Sequence, residues 1–505
     1  MNLKTFENRI LNTDILTLQN AGEEEFCAQC RRLEEEGFCK RESRPGYAAY
    51  QKEGTGCFLG YYPAIGEVRV VTEQNCRYFD YTDTCGEAVT VPQITQLHLE
   101  DFGMSYAVRL SDGRFILIDG GCSFEPDAER LFRVLQEGSP FEKPVIAAWI
   151  MTHPHSDHFH CIFPFMELHA EVVTIEKFLF HFPAADDTAH YPKMAERDDR
   201  FEMDTSNTAT VPQFLKIVEE SGAAVYTPHA GQTYQIGDAV CEILSSPDDT
   251  VHCSNSINAA SLVIRMELGG QVILWAADAS FEAARLPERY GHHLKADILQ
   301  VPHHGFGCGS ADAQIAGFDL IRPKICLLPA RDYVAYTFFS AFKEGTRHLM
   351  ADLDVSEFIT GEHTRTLTLP YTPKPYAKEQ SLRQYHEGQV GAGAKNWYFT
   401  ELSTARKEDF IFTVLNPVVS KTNLTIELFF EKAPKVTFIK ASIAPNSMKR
   451  LCIIDPEQVE TETECFNPNS LETVGVPENA PFGVRFISDS PLVISHKDHP
   501  AAYRG

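Results

Sequence analysis

Residues 145–160 read VIAAWIMTHPHSDHFH, and this stretch decides the fold of the chain. The uninterrupted apolar run at its start predicts a buried strand. That strand leads directly to three imidazoles and one carboxylate, on His153, His155, Asp157 and His158. Such groups crowded on a loop at a strand end are typical of a metal site held by a rigid scaffold. We therefore expect His153 and His155 to reach one metal ion, with Asp157 and His158 turned towards a second.

The sequence on both sides of this stretch predicts α/β layers. Upstream, residues 95–121 alternate in two runs around the turn Ser111-Asp112-Gly113 and end in Asp119-Gly120-Gly121. A helix is expected between Glu125 and Glu137, and strands and helices alternate further to about residue 372. This mixture of β-meanders and crossover helices indicates α/β or α+β layers around one core.

The flanking segments predict three further parts. Residues 1–90 predict a small α+β domain, with a helix between a capping Asn20 and a terminating Gly37, followed by short alternating strands. Residues 373–395 are polar and contain Gly and Pro, so we interpret them as a linker. Residues 396–505 contain short period-2 runs at regular spacing, which are typical of an all-β sandwich.

The motif His-x-His-x-Asp-His at residues 153–158 resembles that of the metallo-β-lactamase-fold hydrolases. The resemblance continues in SLVIRMELGGQVILWAADAS at 261–280 and in LKADILQVPHHGFG at 294–307. These stretches are most similar to the branch that contains bacterial competence proteins and phosphorylcholine esterases. The resemblance implies an αββα sandwich over residues 93–372 and a metal-dependent hydrolase.

The resemblance also implies further site residues. Asp278 would bridge two metals, and the pair His303 and His304 would supply the terminal ligand of the second site. We favour His303 because it is nearer the strand end, and the other histidine could then donate a proton or hydrogen bond to the substrate. The predicted metal ligands are therefore His153, His155, Asp157, His158, Asp278, His303 and, for the first site, Asn258 or His252; the predicted catalytic residues are Asp157, His303 and His304.

Three positions depart from the family pattern. The third histidine of the first site has no clear match, and the alignment of strand starts favours Asn258 over His252 as its replacement. Ala277 stands where the family has glycine before the bridging aspartate. His160 stands where many relatives have glycine, and we expect it to lie outside the ligand set.

The donor set predicts the chemistry. Imidazole and carboxylate donors without thiolate suit Zn²⁺, with Mn²⁺ or Fe²⁺ as alternatives. Two such ions sharing a water lower its pKa from 15.7 towards ~7, which gives hydroxide at neutral pH. This hydroxide would attack an ester carbonyl or a phosphorus, while Asp157 binds metal and orients the nucleophile.

The charge of the chain restricts the substrate. The formal net charge is 45 − 70 = −25, and residues 96–375 alone carry 21 − 39 = −18. An acidic surface opposes binding of long nucleic acid or anionic membrane. We therefore expect a small phosphodiester or ester as substrate. No secretory signal or membrane-spanning run is recognisable, so we expect a cytoplasmic protein whose cysteines, including Cys27 and Cys30, are thiols.

The C-terminal part resembles the sensory rhodopsin transducer family. The matching stretches are WYFTEL at 397–402, residues 412–431 and residues 476–498. The resemblance implies a homo-oligomer held through this sandwich, with ligand binding. It leaves two hypotheses open: a dinuclear metal hydrolase with an accessory domain, or a ligand-binding sensor whose metal site is degenerate.

Overall fold

The computed structural model describes residues 3–10, 13–76, 82–101, 103–182, 210–250, 257–306, 309–331, 348–349, 353–373, 394–418, 420–430, 437–453, 460–461, 480–496 and 502–503. These residues divide into two compact units. The first contains the described residues up to Arg331 and those between Lys343 and Pro375; the second contains those from Tyr376 onward. Within the described ranges, no helix combines the length and apolar character that a membrane span requires.

The first unit begins with a six-stranded antiparallel sheet and one helix. The strand order is β1-β2-β6-β5-β4-β3. The bounds are β1 Lys4–Ile10, β2 Thr13–Gln19, α1 Glu23–Glu35, β3 Cys39–Arg44, β4 Tyr47–Lys52, β5 Thr55–Tyr62 and β6 Glu67–Glu73. Apolar side chains of α1, among them Leu33 and Cys30, pack on Tyr50 and Leu59 of the sheet. The helix therefore covers one face of this sheet.

The start of α1 differs from the sequence-based prediction. Gly22, not Asn20, is the capping residue, and the Glu25 carboxylate accepts a 2.7 Å hydrogen bond from the Gly22 N–H. Asn20 instead adopts a left-handed backbone with φ 58°. The predicted stop is correct in kind, because Gly37 follows the helix with φ 86°, a conformation that glycine adopts at little cost.

The rest of the first unit alternates strands and helices. The strands are β7 Thr82–Thr84, β8 Gln93–Gln96, β9 Ser105–Arg109, β10 Phe115–Asp119, β11 Val145–Met151, β12 Thr174–Ile175, β13 Lys177–Phe180, β14 Ala224–Tyr226, β15 Thr233–Gly237, β16 Ala239–Ser245, β17 Val263–Leu268, β18 Gln271–Trp275, β19 Ile298–Gln300, β20 Ile325–Leu328, β21 Glu357–Thr360 and β22 Arg365–Thr368. The helices are α2 Glu125–Gly138, α3 Ser156–Phe159, α4 Ile162–His169, α5 Val211–Ser221, α6 Pro247–Thr250, α7 Leu286–Tyr290 and α8 Ala311–Ile321.

These strands form two sheets around one core. One sheet has the order β14-β13-β11-β10-β9-β8-β22, and the other has the order β21-β20-β19-β18-β17-β16-β15-β7. Both contribute to one apolar cluster, with Ile118 and Ile150 from the first sheet and Ile264, Trp275 and Ile298 from the second. A second cluster packs α2, α4 and α5 on the first sheet. The mixed, strand-rich α/β architecture is as the sequence predicts.

The second unit is built from strands. They are β23 Ala394–Ser403, β24 Ile411–Asn416, β25 Thr422–Phe430, β26 Thr437–Ile443, β27 Ser447–Cys452, β28 Glu460–Thr461, β29 Pro481–Ser495 and β30 Ala502–Tyr503. Residues 482–488 and 491–496, which alternate separately in the sequence, lie largely on the one long strand β29. The first half of β29 pairs with β23 and β25, and its second half pairs with β24. This one strand therefore connects β23, β24 and β25.

Candidate metal centre

Strand ends from both sheets of the first unit deliver the candidate ligands. In the first sheet β10 and β11 are parallel neighbours, and the motif 153–158 follows the end of β11. In the second sheet β18 and β19 are parallel neighbours, and Asp278 and the pair 303–304 follow their ends. Parallel strands place their carboxyl ends on the same edge of a sheet. Residues far apart in the sequence therefore converge.

Asp119, the last residue of β10, fixes the ring of His158. Its carboxylate accepts hydrogen bonds from the Thr152 N–H at 2.8 Å, the Thr152 hydroxyl at 2.7 Å and His158 Nδ1 at 2.7 Å. Asp119, Thr152 and His158 are all fully buried. With its Nδ1–H on this carboxylate, His158 directs the lone pair of Nε2 away from Asp119. This carboxylate–histidine pair is typical of metal-binding histidines.

His153 and His304 are anchored in the same way through Nδ1. The Thr152 hydroxyl donates to Asp119, so its oxygen is available to His153 Nδ1 at 3.1 Å. His304 Nδ1 donates to the Pro329 carbonyl at 2.8 Å. Both rings are buried. Each ring is thus held in the tautomer that leaves Nε2 as an acceptor or metal ligand.

The three Nε2 atoms converge on two carboxylates. His158 Nε2 lies 3.3 Å from Asp278 Oδ2 and 3.3 Å from His304 Nε2. His304 Nε2 lies 3.1 Å from Asp157 Oδ2, and His153 Nε2 lies 3.8 Å from Asp278 Oδ2. Two groups of metal-competent side chains result, one of His153, His158 and Asp278 and the other of Asp157, His158 and His304.

An orphaned carboxylate oxygen indicates that these residues fit a bound cation. Asp278 is buried, and its Oδ1 has no hydrogen-bond partner among the described residues. A buried unpaired anion is costly unless a cation or donor offsets it. Facing imidazole lone pairs also need a positive charge between them. The donor set of imidazole nitrogens and carboxylate oxygens is one that divalent metals bind.

The electrostatics of the centre favour positive charge. Burial alone would lower the pKa of His158, but Asp278, Asp157 and Asp119 raise it well above its ordinary value. Burial lowers the pKa of His153 well below its ordinary value. The pKa of Asp157 is lowered despite burial, because His158 and His304 stabilise its charged form. The charged carboxylates therefore attract a cation to the centre.

His304 takes the place in the cluster that the sequence assigned by preference to His303. His303 Nε2 lies 3.8 Å from Asp278 Oδ2 and 3.0 Å from the Asn258 amide nitrogen, and the His303 side chain is 27% exposed. Both histidines have left-handed backbone, with φ 49° and 50°. This turn sends consecutive side chains to different positions, so proximity to the strand end did not predict which of them joins Asp157 and His158.

The other predicted residues occupy different positions. His155 Nδ1 lies 3.1 Å from His153 Nε2, outside the two three-residue groups. Asn258 contacts His303, and its Oδ1 is buried and has no partner among the described residues. His252 lies outside the described residues. His160 lies outside both groups and contacts the Thr210 hydroxyl at 2.8 Å.

The backbone conformation at Ala277 explains why the resembling family has glycine at this position. Its backbone has φ 45°, and both its N–H and the N–H of Ala276 reach the Gln300 side-chain oxygen. A left-handed conformation costs an L-residue roughly 1–2 kcal/mol, whereas glycine adopts it freely. The Gln300 bonds hold the strained turn that presents Asp278. The sequence alone gave no role to Gln300 or Asp119.

Gly103 supports the loop that carries Asp157, and we expect Gly103→Ala to damage the centre. A Cβ there would lie 2.5 Å from the Asp157 carbonyl oxygen, at a backbone φ of 152°. Forcing this contact should destabilise the protein by about 1–3 kcal/mol and reduce its metal content. Denaturant unfolding and metal analysis measure both effects. Gly222→Ala, where φ is 70° and no atom lies within 4 Å of the added Cβ, is the control and should keep its metal. Full metal content in Gly103→Ala would contradict this role.

Comparison with known proteins identifies one domain. The family model described as the metallo-beta-lactamase superfamily matches residues 99–237, which include the motif at 153–158 and Asp119. No curated protein matches the chain at a significant level. The match agrees with the resemblance in the sequence at the level of the superfamily.

Solved structures with distant similarity include three of interest. A metallo-beta-lactamase fold protein of Bacillus subtilis is 14% identical, with a TM-score of 0.34, and the match covers 55% of this chain and 99% of that chain. A diiron beta-hydroxylase of Streptomyces venezuelae is 13% identical, with a TM-score of 0.32, covering 55% and 54%. The Anabaena sensory rhodopsin transducer is 14% identical, with a TM-score of 0.16, covering 21% and 96%.

Proposed function

We propose that the chain, whose residues 99–237 match the metallo-beta-lactamase superfamily model, is a metal-dependent hydrolase of a small phosphodiester or ester. One observation carries the proposal. Three buried imidazoles are each anchored through Nδ1 and turn Nε2 towards the carboxylates of Asp157 and Asp278. A site assembled only for stability would not leave a carboxylate oxygen of Asp278 buried without a partner.

The residues that would hold two divalent ions follow from the two groups. His153 and Asp278 would serve one ion and Asp157 and His304 the other, with His158 between the groups and His155 close to the first. When bound, such ions lower the pKa of water towards ~7 and offset negative charge that develops on an ester or phosphoryl oxygen. Zn²⁺ suits the nitrogen and oxygen donors best, with Mn²⁺ or Fe²⁺ as alternatives.

The remaining roles belong to side chains on the open side of the centre. Asp157 and His303 have side chains that are 25% and 27% exposed, whereas His158 and Asp278 are buried. Asp157 is thus reachable by substrate and can orient a water molecule. His303 lies beside Asn258, 3.0 Å away, where it can contact the substrate. The buried histidines would bind metal, Asp157 would both bind metal and orient water, and His303 would contact the substrate.

The substrate class rests on charge. Residues 96–375 carry 21 − 39 = −18, and the ligands Asp157 and Asp278 account for two of these negative charges. The other acidic side chains would repel a long nucleic-acid backbone, whose binding needs Lys and Arg contacts with many phosphates. A small ester or phosphodiester makes few such contacts. We therefore favour it over duplex or single-stranded nucleic acid.

Metal analysis with a substrate screen tests the proposed function. We expect close to two metal ions per chain at this centre and metal-dependent hydrolysis of bis(p-nitrophenyl) phosphate or a p-nitrophenyl ester. Removal of metal with a chelator should abolish turnover, and addition of Zn²⁺ or Mn²⁺ should restore it. Equal metal content in the wild type and in a variant that lacks Asp157 and His158, together with no turnover, would overturn the proposal and favour a ligand-binding sensor.

We propose an accessory role for the second unit. Its strand pattern and the three stretches that resemble the sensory rhodopsin transducer family support a part that joins copies of this chain or binds ligand. The described cysteines are thiols rather than disulfides. We propose that the protein is a cytoplasmic homo-oligomer.

A further inference from the structure

A separate group of metal-competent side chains lies where the N-terminal sheet meets the rest of the first unit. It consists of His181 after β13, His229 between β14 and β15, and Asp248 in α6. One ligand atom from each lies within 4.8 Å of the others, and the three residues are 6%, 0% and 1% exposed. Glu73, at the end of β6, completes the group from the N-terminal sheet. This group shares no residue with the centre described above.

The hydrogen bonds of His229 repeat the pattern seen at His158. Its Nε2 lies 3.0 Å from Glu73 Oε2, and its Nδ1 lies 2.5 Å from Asp248 Oδ2. Glu73 can therefore take the N–H of Nε2, as Asp119 takes that of Nδ1 in His158, and leave the other nitrogen to bind metal. His181 Nδ1 lies 3.1 Å from the Pro228 carbonyl and 3.7 Å from Asp248 Oδ2. The arrangement has two imidazoles, one ligating carboxylate and one orienting carboxylate.

The second indication is an orphaned oxygen. Asp248 Oδ1 is buried and has no hydrogen-bond partner among the described residues, although Oδ2 accepts from the Ser246 hydroxyl as well as facing His229. Two carboxylates, those of Asp248 and Glu73, face the two nitrogens of the His229 ring. The pocket thus stabilises positive charge. Arg69 supplies part of it and donates a hydrogen bond to the backbone carbonyl of Asp248.

We propose that His181, His229 and Asp248 bind a divalent cation of the Zn²⁺ type, with Glu73 orienting His229. The ion takes the place of the proton between His229 Nδ1 and Asp248, and that proton leaves to solvent. The three ligands are buried, which indicates a structural ion, and three protein ligands leave a fourth position for a water molecule. Glu73 also lines a neighbouring cavity of about 510 Å³.

The position of the site indicates what the ion would do. Phe58 of the N-terminal sheet stacks on the His229 ring with centroids 4.4 Å apart. Buried Glu67 of the same sheet pairs with Arg289 at 3.0 Å. An ion held by His229 would reinforce these links and the contacts of Glu73 with His229 and of Arg69 with Asp248. The ion would therefore stabilise the association of residues 13–76 with the rest of the unit, independently of hydrolysis.

Metal analysis of full-length variants separates the two sites. In the Asp157→Ala/His158→Ala double variant, which lacks the first centre, we expect about one Zn²⁺ per chain to remain, and added Zn²⁺ to raise Tm. Adding His181→Ala to the double variant should remove that ion and the Tm response. His169→Ala is the matched control, because His169 is also buried and stacks on Phe132 but belongs to neither group, so its ion should stay.

The possible outcomes discriminate clearly. No bound ion and no Tm response to Zn²⁺ in the double variant would overturn the inference. This measurement leaves His181, His229 and Asp248 unchanged. Retention of the ion after His181→Ala in folded protein would overturn it too. If the first centre bound no metal, wild type and double variant would hold the same single ion, and His181→Ala would remove it. That result would contradict the proposed function and support this site.

Discussion

Replacing Asp157 or His158 with alanine is expected to lower hydrolysis by about 10³-fold or more while leaving the fold intact. His158 Nε2 belongs to both ligand groups, 3.3 Å from both Asp278 Oδ2 and His304 Nε2. Asp157 Oδ2 lies 3.1 Å from His304 Nε2. Either change removes a ligand from the place where both groups meet. Turnover, metal content and circular dichroism of each purified variant measure the effect.

His160→Ala is the matched control for this prediction. His160 lies two residues after His158, yet it contacts Thr210 and belongs to neither metal group. It should keep its metal and most of its turnover. If His158→Ala loses too much stability to purify, Asp157→Ala alone decides, because the Asp157 side chain is partly exposed and its loss leaves no large cavity. Unchanged turnover in Asp157→Ala or His158→Ala would remove the site assignment.

The part of the site that the sequence predicts is the part that one short loop carries. His153, Asp157 and His158 follow the apolar run of β11, and both the run and the loop are legible in consecutive residues. Asp278 required the family resemblance, because its strand belongs to the other sheet. Its position next to His158 depends on sheet packing, which local periodicity does not encode.

Backbone conformation decided what the sequence left open. His303 and His304 are consecutive, and only their left-handed turn determines that His304 joins Asp157 and His158. Asn20 has the residue type of a helix cap, but it adopts left-handed φ and the helix begins at Glu23. Such choices depend on tertiary contacts that outweigh the preferences of single residues.

Long-range pairing explains the residues that sequence reasoning missed. Asp119 lies 39 positions before His158, and the Asp-Gly-Gly at the end of β10 was the only signal of its importance. His181, His229 and Asp248 are separated by strands and come together only in the folded unit. The sequence therefore predicts much of the centre around His158 but none of the group formed by His181, His229 and Asp248.

Asp119→Asn should weaken metal binding by about 10–100-fold, because Asp119 orients a ligand without binding metal itself. The carboxylate accepts three hydrogen bonds from two residues, Thr152 and His158. An asparagine of the same shape has one acceptor oxygen, and its NH₂ group must face at least one of these donors. Either Thr152 loses a partner or His158 turns its Nδ1–H away from position 119. The Nε2 lone pair would then no longer be held towards Asp278.

For Asp119→Asn, both the metal affinity and the free energy of unfolding should be measured. A buried donor left without an acceptor costs about 1–3 kcal/mol, so some loss of stability is expected wherever a buried carboxylate is replaced. Asp127→Asn supplies the comparison, since Asp127 is also buried and accepts from Arg130 and the Glu100 N–H, away from the metal groups. We expect both variants to lose stability and only Asp119→Asn to lose affinity and turnover, with turnover partly restored by excess metal. Equal metal affinity in the two variants would show that Asp119 only supports the fold.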